Sequence, residues 1–210
     1  MGVTDWSHNS WYHSLLLRQI PQRAERVLDV GCGSGTLARR LAATVPQVDA
    51  FDSSPVMLAE ARVGAPANLS LQVADALTVE LPEDAYDAVV SVAVLHHLPL
   101  VEALPRMAGW LRPGGVLAAV ALPRADLPRG LPVEAAAAVA HHGLGLAFSA
   151  LRPMTGADLF RHEDSHGDMP VSDGALTTRE VRTAAEAVLP GVQVRRLLFW
   201  RYLLVWRKPL

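Results

Sequence analysis

The segment Val27–Thr36, VLDVGCGSGT, joins an apolar run to three glycines at alternate positions. An apolar run that ends in a glycine turn and leads into a helical pattern is the strand–turn–helix start of a nucleotide-binding type of fold. The dinucleotide form of that turn is G-x-G-x-x-G, with a pyrophosphate at the helix N-terminus. Here the spacing is G-x-G-x-G, and Asp29 stands two residues before Gly31. A carboxylate beside the turn repels a pyrophosphate and suits a ligand that carries positive charge, such as an ammonium or a sulfonium.

The strand–helix rhythm runs on to Leu122. RVLDVG, QVDAFD ending at Asp52, LSLQVAD ending at Asp75, AYDAVVSVAV and VLAAVAL read as strands. The continuous apolar run of AYDAVVSVAV is typical of a strand inside a parallel sheet. Residues 10–20, 34–45, 54–62 and 99–111 read as helices. In the second of these Leu37, Leu41 and Val45 face inward while Arg39 and Arg40 face outward. Pro55 suits a first helical turn, and RPGG at Arg112–Gly115 breaks the fourth helix. Alternation of this kind means right-handed crossovers and a doubly wound sheet. Asp29, Asp52 and Asp75 then share its carboxyl edge, where an acid ending the second strand takes a ribose diol.

Beyond Leu122 the rhythm stops until a Thr-Thr-Arg-Glu capping pattern opens a helix over Thr177–Leu189. VQVRRLLFW and YLLVWRKP follow so closely that they form an antiparallel hairpin, with Phe199, Trp200, Tyr202 and Trp206 alternating as strand residues. Most of these aromatics are expected in the core, with Tyr202 able to reach the substrate side. The 210 residues suit one domain, and 50% hydrophobic against 19% charged residues argues against disorder. A net charge of -2 without a basic run makes nucleic acid a poor partner. The single cysteine, Cys32, forms no internal disulfide, in keeping with a reducing cytosol. The N-terminus has no secretory or myristoylation pattern. The segment 131–151 carries Glu134, His141 and His142 and reads as a buried or lid helix rather than a membrane span. RHEDSHGD at 161–168 holds metal-ligand residue types without the spacing of a metal site, so it reads as a solvated loop and no metal is expected.

VLDVGCGSGTLARRLA, the acid of AFDSSP, the acid of VADAL, YDAVVSVAVLHHL and LRPGGVL resemble, in order and spacing, the motifs of the class I S-adenosylmethionine-dependent methyltransferases. The resemblance covers about residues 26–122, and is greatest to the small ubiquinone/menaquinone-methyltransferase-like, type 11 group of actinobacterial enzymes. The insertion at 123–175 matches the general pattern poorly. The resemblance implies an α/β fold: a Rossmann-like, doubly wound, seven-stranded, mainly parallel sheet with a reversed last strand and a helical lid insertion. The single domain would comprise an N-terminal lid helix (1–20), a cofactor-binding core (21–122), a helical insertion over the acceptor (123–175), and a C-terminal helix and hairpin (176–210).

The implied cofactor is S-adenosyl-L-methionine. Gly31, Gly33 and Gly35 would let the backbone approach its methionine and ribose parts, and Asp29 would hold the loop and the cationic methionine end. Asp52 would take the ribose hydroxyls, with Ser53 and Met57 flanking the adenine. Asp75 would accept from the adenine amino group beside Ala76, and Ser91 and Val92 would present backbone near the ammonium. His96 and His97 fall just past the fourth strand, where the acceptor would meet the methyl group. One of them is a candidate general base, an unperturbed pKa near 6.5 being suited to that task. The alternative is that His96 caps the strand and His97 packs under the next helix. Tyr12 and His13 sit on the helix that would close over the cofactor and are further catalytic candidates, Tyr12 also a cofactor contact.

The expected activity is methyl transfer to a small, apolar or aromatic acceptor by a cytoplasmic monomer or homodimer with no nucleic-acid partner and no integral membrane span. Two rival readings remain at this point: a protein of this fold that binds the cofactor without transferring methyl, and a NAD-dependent oxidoreductase.

Overall fold

Strand β1 (Arg26–Val30) lies in the middle of the sheet, with Val27, Leu28 and Val30 almost wholly buried. The computed structural model describes residues 7–127, 129–155 and 174–210, and the side chains of 151–155 are outside that description. β1 pairs in parallel with β2 (Gln47–Asp52) on one side and β4 (Tyr86–Val92) on the other. β3 (Leu69–Val73) runs parallel to β2 at one edge, and β5 (Leu111–Ala121) runs parallel to β4. β7 (Arg201–Arg207) lies antiparallel between β5 and β6 (Gln193–Leu197), so the order is β3-β2-β1-β4-β5-β7-β6. The expected seven-stranded sheet with a reversed last strand is the one that forms.

Both faces of this sheet are covered, which is why its central strands read as continuous apolar runs. Val116, Ala118 and Val120 of β5 face α1 (His8–Leu17) and α2 (Thr36–Ala42), packing with Tyr12, Leu16, Leu37 and Leu41. Leu117, Ala119 and Ala121 point the other way, to α4 (Leu100–Trp110) and α6 (Thr178–Val188), packing with Leu104, Met107, Val181 and Ala185. α3 (Pro55–Arg62) begins as expected with Pro55 in its first turn, and the Ser54 side chain accepts from the Met57 amide. The capping pattern before α6 forms in full: the Thr177 hydroxyl accepts from the Glu180 amide, and the Glu180 carboxylate accepts from the Thr177 amide.

Several local expectations are corrected. The fifth strand starts at Leu111 rather than Val116. β5 begins directly after α4, and the register passes from Tyr86 opposite Leu111 to Ala88 opposite Val116. Arg112–Gly115 therefore bulge opposite Asp87, whose Oδ1 accepts from Arg112 Nη1 at 3.1 Å. β3 ends at Val73 rather than Asp75, because the Asp75 carboxylate takes the Leu77 amide at 2.7 Å and turns the chain. Arg39 is not outward. Its guanidinium donates to the carbonyls of Ser34 (2.7 Å), Ala61 (2.9 Å) and Val63 (2.8 Å), tying the start of α2 to the end of α3. Phe199 and Trp200 are not strand residues. They form the β6–β7 turn at φ 54° and 55°, a conformation that costs a non-glycine residue on the order of 1 kcal/mol. Burial of Phe199 beneath α1, its ring stacked 5.2 Å from that of His8, offsets the cost.

α5 (Leu131–Thr155) packs Phe148 against Trp11 of α1, and Glu134 pairs with Arg196 of β6 at 2.6 Å. Among the described residues no helix is long and apolar enough to cross a membrane. The segment 161–168, and with it the expectation of a metal-free solvated loop there, lies outside the described residues. Among the described residues no cluster of His, Cys, Asp or Glu is arranged to hold a metal ion.

Candidate functional site: a cavity at the carboxyl edge of the sheet

The strand order reverses direction between β1 and β4, and open α/β sheets place ligands outside the carboxyl ends at that point. A cavity of about 470 Å³ lies there. One wall is the turn after β1. The amides of Gly31 and Cys32 donate to the Phe51 carbonyl at 2.9 and 3.0 Å, and the Gly33 amide donates to Asp52 Oδ2 at 2.9 Å. Gly31 has φ 69°, and a Cβ there would lie 2.2 Å from Val94 Cγ2. Only glycine keeps the turn against the β4 end without moving Val94. Gly35 caps α2 in the left-handed region at φ 81°, and it does not line the cavity.

The acids are not equivalent. Asp52 is 8% exposed; its two oxygens accept from the amides of Gly33 and Ser54, so it both lines the cavity and shapes the turn. Asp75 lines the cavity from an exposed turn. Asp29 is 1% exposed, and its Oδ2 has no hydrogen-bond partner among the described residues. Burial, and behind it the Asp52 charge, pushes the Asp29 carboxyl up to about 7. An orphaned carboxylate oxygen on a cavity wall is costly unless a donor or cation arrives to meet it. Cys32 is held as a thiol, its pKa driven up by burial and then by the Asp29 and Asp52 charges.

The sequence candidates divide once folded. Asp29, Gly31, Gly33, Asp52, Ser53, Asp75, Ala76, Val92, His13 and His97 line the cavity. Tyr12, Gly35, Met57, Ser91 and His96 do not. The Tyr12 hydroxyl donates to the Leu198 carbonyl at 2.6 Å, and burial pushes its pKa up to about 12, so it ties α1 to the hairpin. Met57 is buried behind the turn, its Cε 3.5 Å from where a Gly33 Cβ would be. Ser91 is fully buried and donates to the Val30 carbonyl at 3.0 Å, joining the ends of β4 and β1. Tyr202 sits 1% exposed in the core beneath α4 and α6, away from the cavity. The 3-10 turn Leu95–His97 leaves the two imidazole rings 3.9 Å apart but in unlike settings: His97 is exposed to the cavity, while burial first, then the charges of His97 and Arg201, lower the His96 pKa to about 4. None of the described residues of 131–155 lines the cavity.

Sequence reasoning missed Ser7, Asn9 and Ser10, which line the cavity from the first turn of α1. Their signal was present: Ser10 and Asn9 stand three and four residues before His13, spacings that share one helix face.

The methyltransferase domain family matches residues 27–115. An uncharacterised methyltransferase of Mycobacterium tuberculosis (strain H37Rv) is 37% identical over 206 residues, 97% of this chain and 98% of that one. The chain belongs to the class I S-adenosylmethionine-dependent methyltransferases. A trans-aconitate 2-methyltransferase of Methylobacterium radiotolerans is 44% identical over 107 residues, 49% of this chain and 40% of that one. Among solved structures, a Haemonchus contortus phosphoethanolamine N-methyltransferase in complex with phosphomonomethylethanolamine and S-adenosylhomocysteine superposes with a TM-score of 0.65 at 17% identity, covering 96% of this chain and 53% of that one, which shows the shared fold. The methyltransferase cavity suits the family's cofactor. Asp29, whose Oδ2 has no partner among the described residues, lines the cavity, and the glycine turn leaves bare backbone beside it.

Proposed function

We propose that this methyltransferase moves a methyl group from S-adenosylmethionine to a small, apolar or aromatic acceptor such as a secondary metabolite, which enters between the first turn of α1 and the 3-10 turn. The observation that carries the reading is the make-up of the cavity: Asp29, Asp52 and Asp75 line it together with the glycine turn, while α1 contributes Asn9 and His13, and the 3-10 turn and the residue after it contribute His97 and Leu98. Asp29 holds the ammonium. Asp52 accepts from the ribose hydroxyls without releasing the Gly33 amide, and Asp75 with Ala76 meets the adenine edge beside Ser53. Val92 closes the floor after β4. Gly35, Met57 and Ser91 act one layer behind, keeping the turn and the strand ends in place.

When bound, the cofactor supplies a methyl group on a sulfonium that leaves as a neutral thioether. The chain's own work is alignment and exclusion of water. His97 takes the proton that an acceptor hydroxyl or ammonium gives up; His96, held neutral by burial, is a poor acceptor of it.

The test is a mass-resolved assay of a metabolite extract with isotope-labelled cofactor. Transfer of label to a small product supports the reading; cofactor binding with no labelled product across the extract favours a binder that does not transfer methyl. With the acceptor in hand, His97→Ala is expected to lower turnover by about 10²–10⁴-fold with cofactor affinity little changed. Full turnover in His97→Ala removes the histidine from the chemistry.

A further inference from the structure

Arg201 opens β7 at 9% exposure. Its Nε and Nη2 donate to Asn9 Oδ1 at 3.1 and 2.9 Å. Its Nη1 donates to the carbonyls of Phe199 and Trp200 at 3.3 and 3.1 Å. All three acceptors are neutral, and no carboxylate among the described residues pairs with this guanidinium. Burial lowers its pKa only to about 10, so it stays charged at neutral pH. The titratable groups that feel its charge, Tyr12 and His96, supply no anion. A buried cation with only neutral partners lacks its counter-charge.

Asn9 carries that charge to the cavity. A guanidinium has donors only, so the Asn9 carbonyl oxygen must face Arg201 and its amide protons are left for another partner. Asn9 lines the cavity with Ser10 and His13 of α1, the same cavity that Asp29, Asp52 and Asp75 line. Among the described residues the cavity thus has an anionic wall with no cation paired to it and a cation-backed donor with no anion.

We propose that Arg201 and Asn9 form a carboxylate-recognition site at the α1 end of the cavity. The site rests on the methyl-transfer reading, and the carboxylate is the acceptor's. Asn9 donates directly, and Arg201 acts through it as a positioning residue that holds the amide outward and supplies the charge.

The test uses the full chain and Asn9→Asp. This substitution gives Arg201 an internal carboxylate and turns an acceptor-repelling oxygen to the cavity, so folding is retained and the melting temperature stays level or rises. Two comparisons are made by calorimetry: benzoate, phenylacetate and hexanoate against their primary amides with S-adenosylhomocysteine present, and S-adenosylhomocysteine against its decarboxylated analogue. The native chain is expected to favour the acids over the amides by about 10- to 100-fold, and Asn9→Asp to abolish that preference while leaving the S-adenosylhomocysteine comparison unchanged. A native chain with less than a tenfold preference for the acids, including no binding of any acid, overturns the site, as does a preference that survives in Asn9→Asp or an Asn9→Asp effect confined to S-adenosylhomocysteine. Preference for phenyl phosphate over benzoate also overturns the carboxylate assignment. Binding of S-adenosylhomocysteine to the native chain is read separately; its absence sinks the methyl-transfer reading itself.

Discussion

Asp29 stands at 1% exposure beside Asp52, with one oxygen unpartnered and its carboxyl pushed up to about 7. An acid whose folded pKa exceeds its unfolded value keeps its proton longer when folded. The folded chain therefore binds more protons between the two values, and its stability falls as pH rises from about 4 to about 7. A cationic ligand reverses the preference, because it favours the ionised form. Cofactor affinity is expected to fall about tenfold per pH unit below about pH 7, and binding near neutrality to release a proton. Asp29→Asn is expected to flatten both trends and to weaken binding at neutral pH. Melting curves and calorimetry across this range check it; a native chain whose ligand-free stability does not change between about pH 5 and about pH 7 rules out the raised carboxyl.

At the scale of elements, α6, α1 and the hairpin are held by a few local devices. α6 covers one face of the sheet, and its N-terminus rests on the Thr177–Glu180 capping box. Thr177→Ala removes the hydroxyl that takes the Glu180 amide and is expected to cost about 1 kcal/mol. In a chain of this size that is a loss of about 2–4 °C in melting temperature, with cofactor affinity unchanged. A loss of affinity would tie α6 to the cavity, which the packing does not. The β6–β7 turn is a second device: its two left-handed residues put Phe199 under α1 and set the Leu198 carbonyl where Tyr12 donates to it.

For the whole molecule, the cavity joins β1, β2, β4, α1, α2 and the turn after β3, so a ligand in it braces the carboxyl edge. S-adenosylhomocysteine at about 100 times its dissociation constant is expected to add about 2.7 kcal/mol, or about 5–10 °C in melting temperature. NAD at the same concentration is expected to leave the melting temperature unchanged, since Asp29 and the G-x-G-x-G turn leave no place for a pyrophosphate. A shift with NAD and none with S-adenosylhomocysteine would reverse the cofactor assignment.

The doubly wound sheet was legible in the sequence because each strand and helix carries its own period, and the glycine turn because positive φ and close approach to Val94 demand glycine locally. Asp52 and Asp75 were legible for the same reason: each ends or follows a strand whose direction the alternation had already set. What needed the tertiary structure was every choice made between distant segments. His96 and His97 are neighbours in the chain, and only the 3-10 turn against β5 and Arg201 decides which one meets the cavity. Arg39 looked like a solvated charge until α3 brought three carbonyls to it. Asn9 and Arg201 lie 192 residues apart, and no local pattern links them. Their partnership exists because a reversed last strand returns the chain to the N-terminal helix, where a buried cation donates to the carbonyl oxygen of a cavity-lining amide.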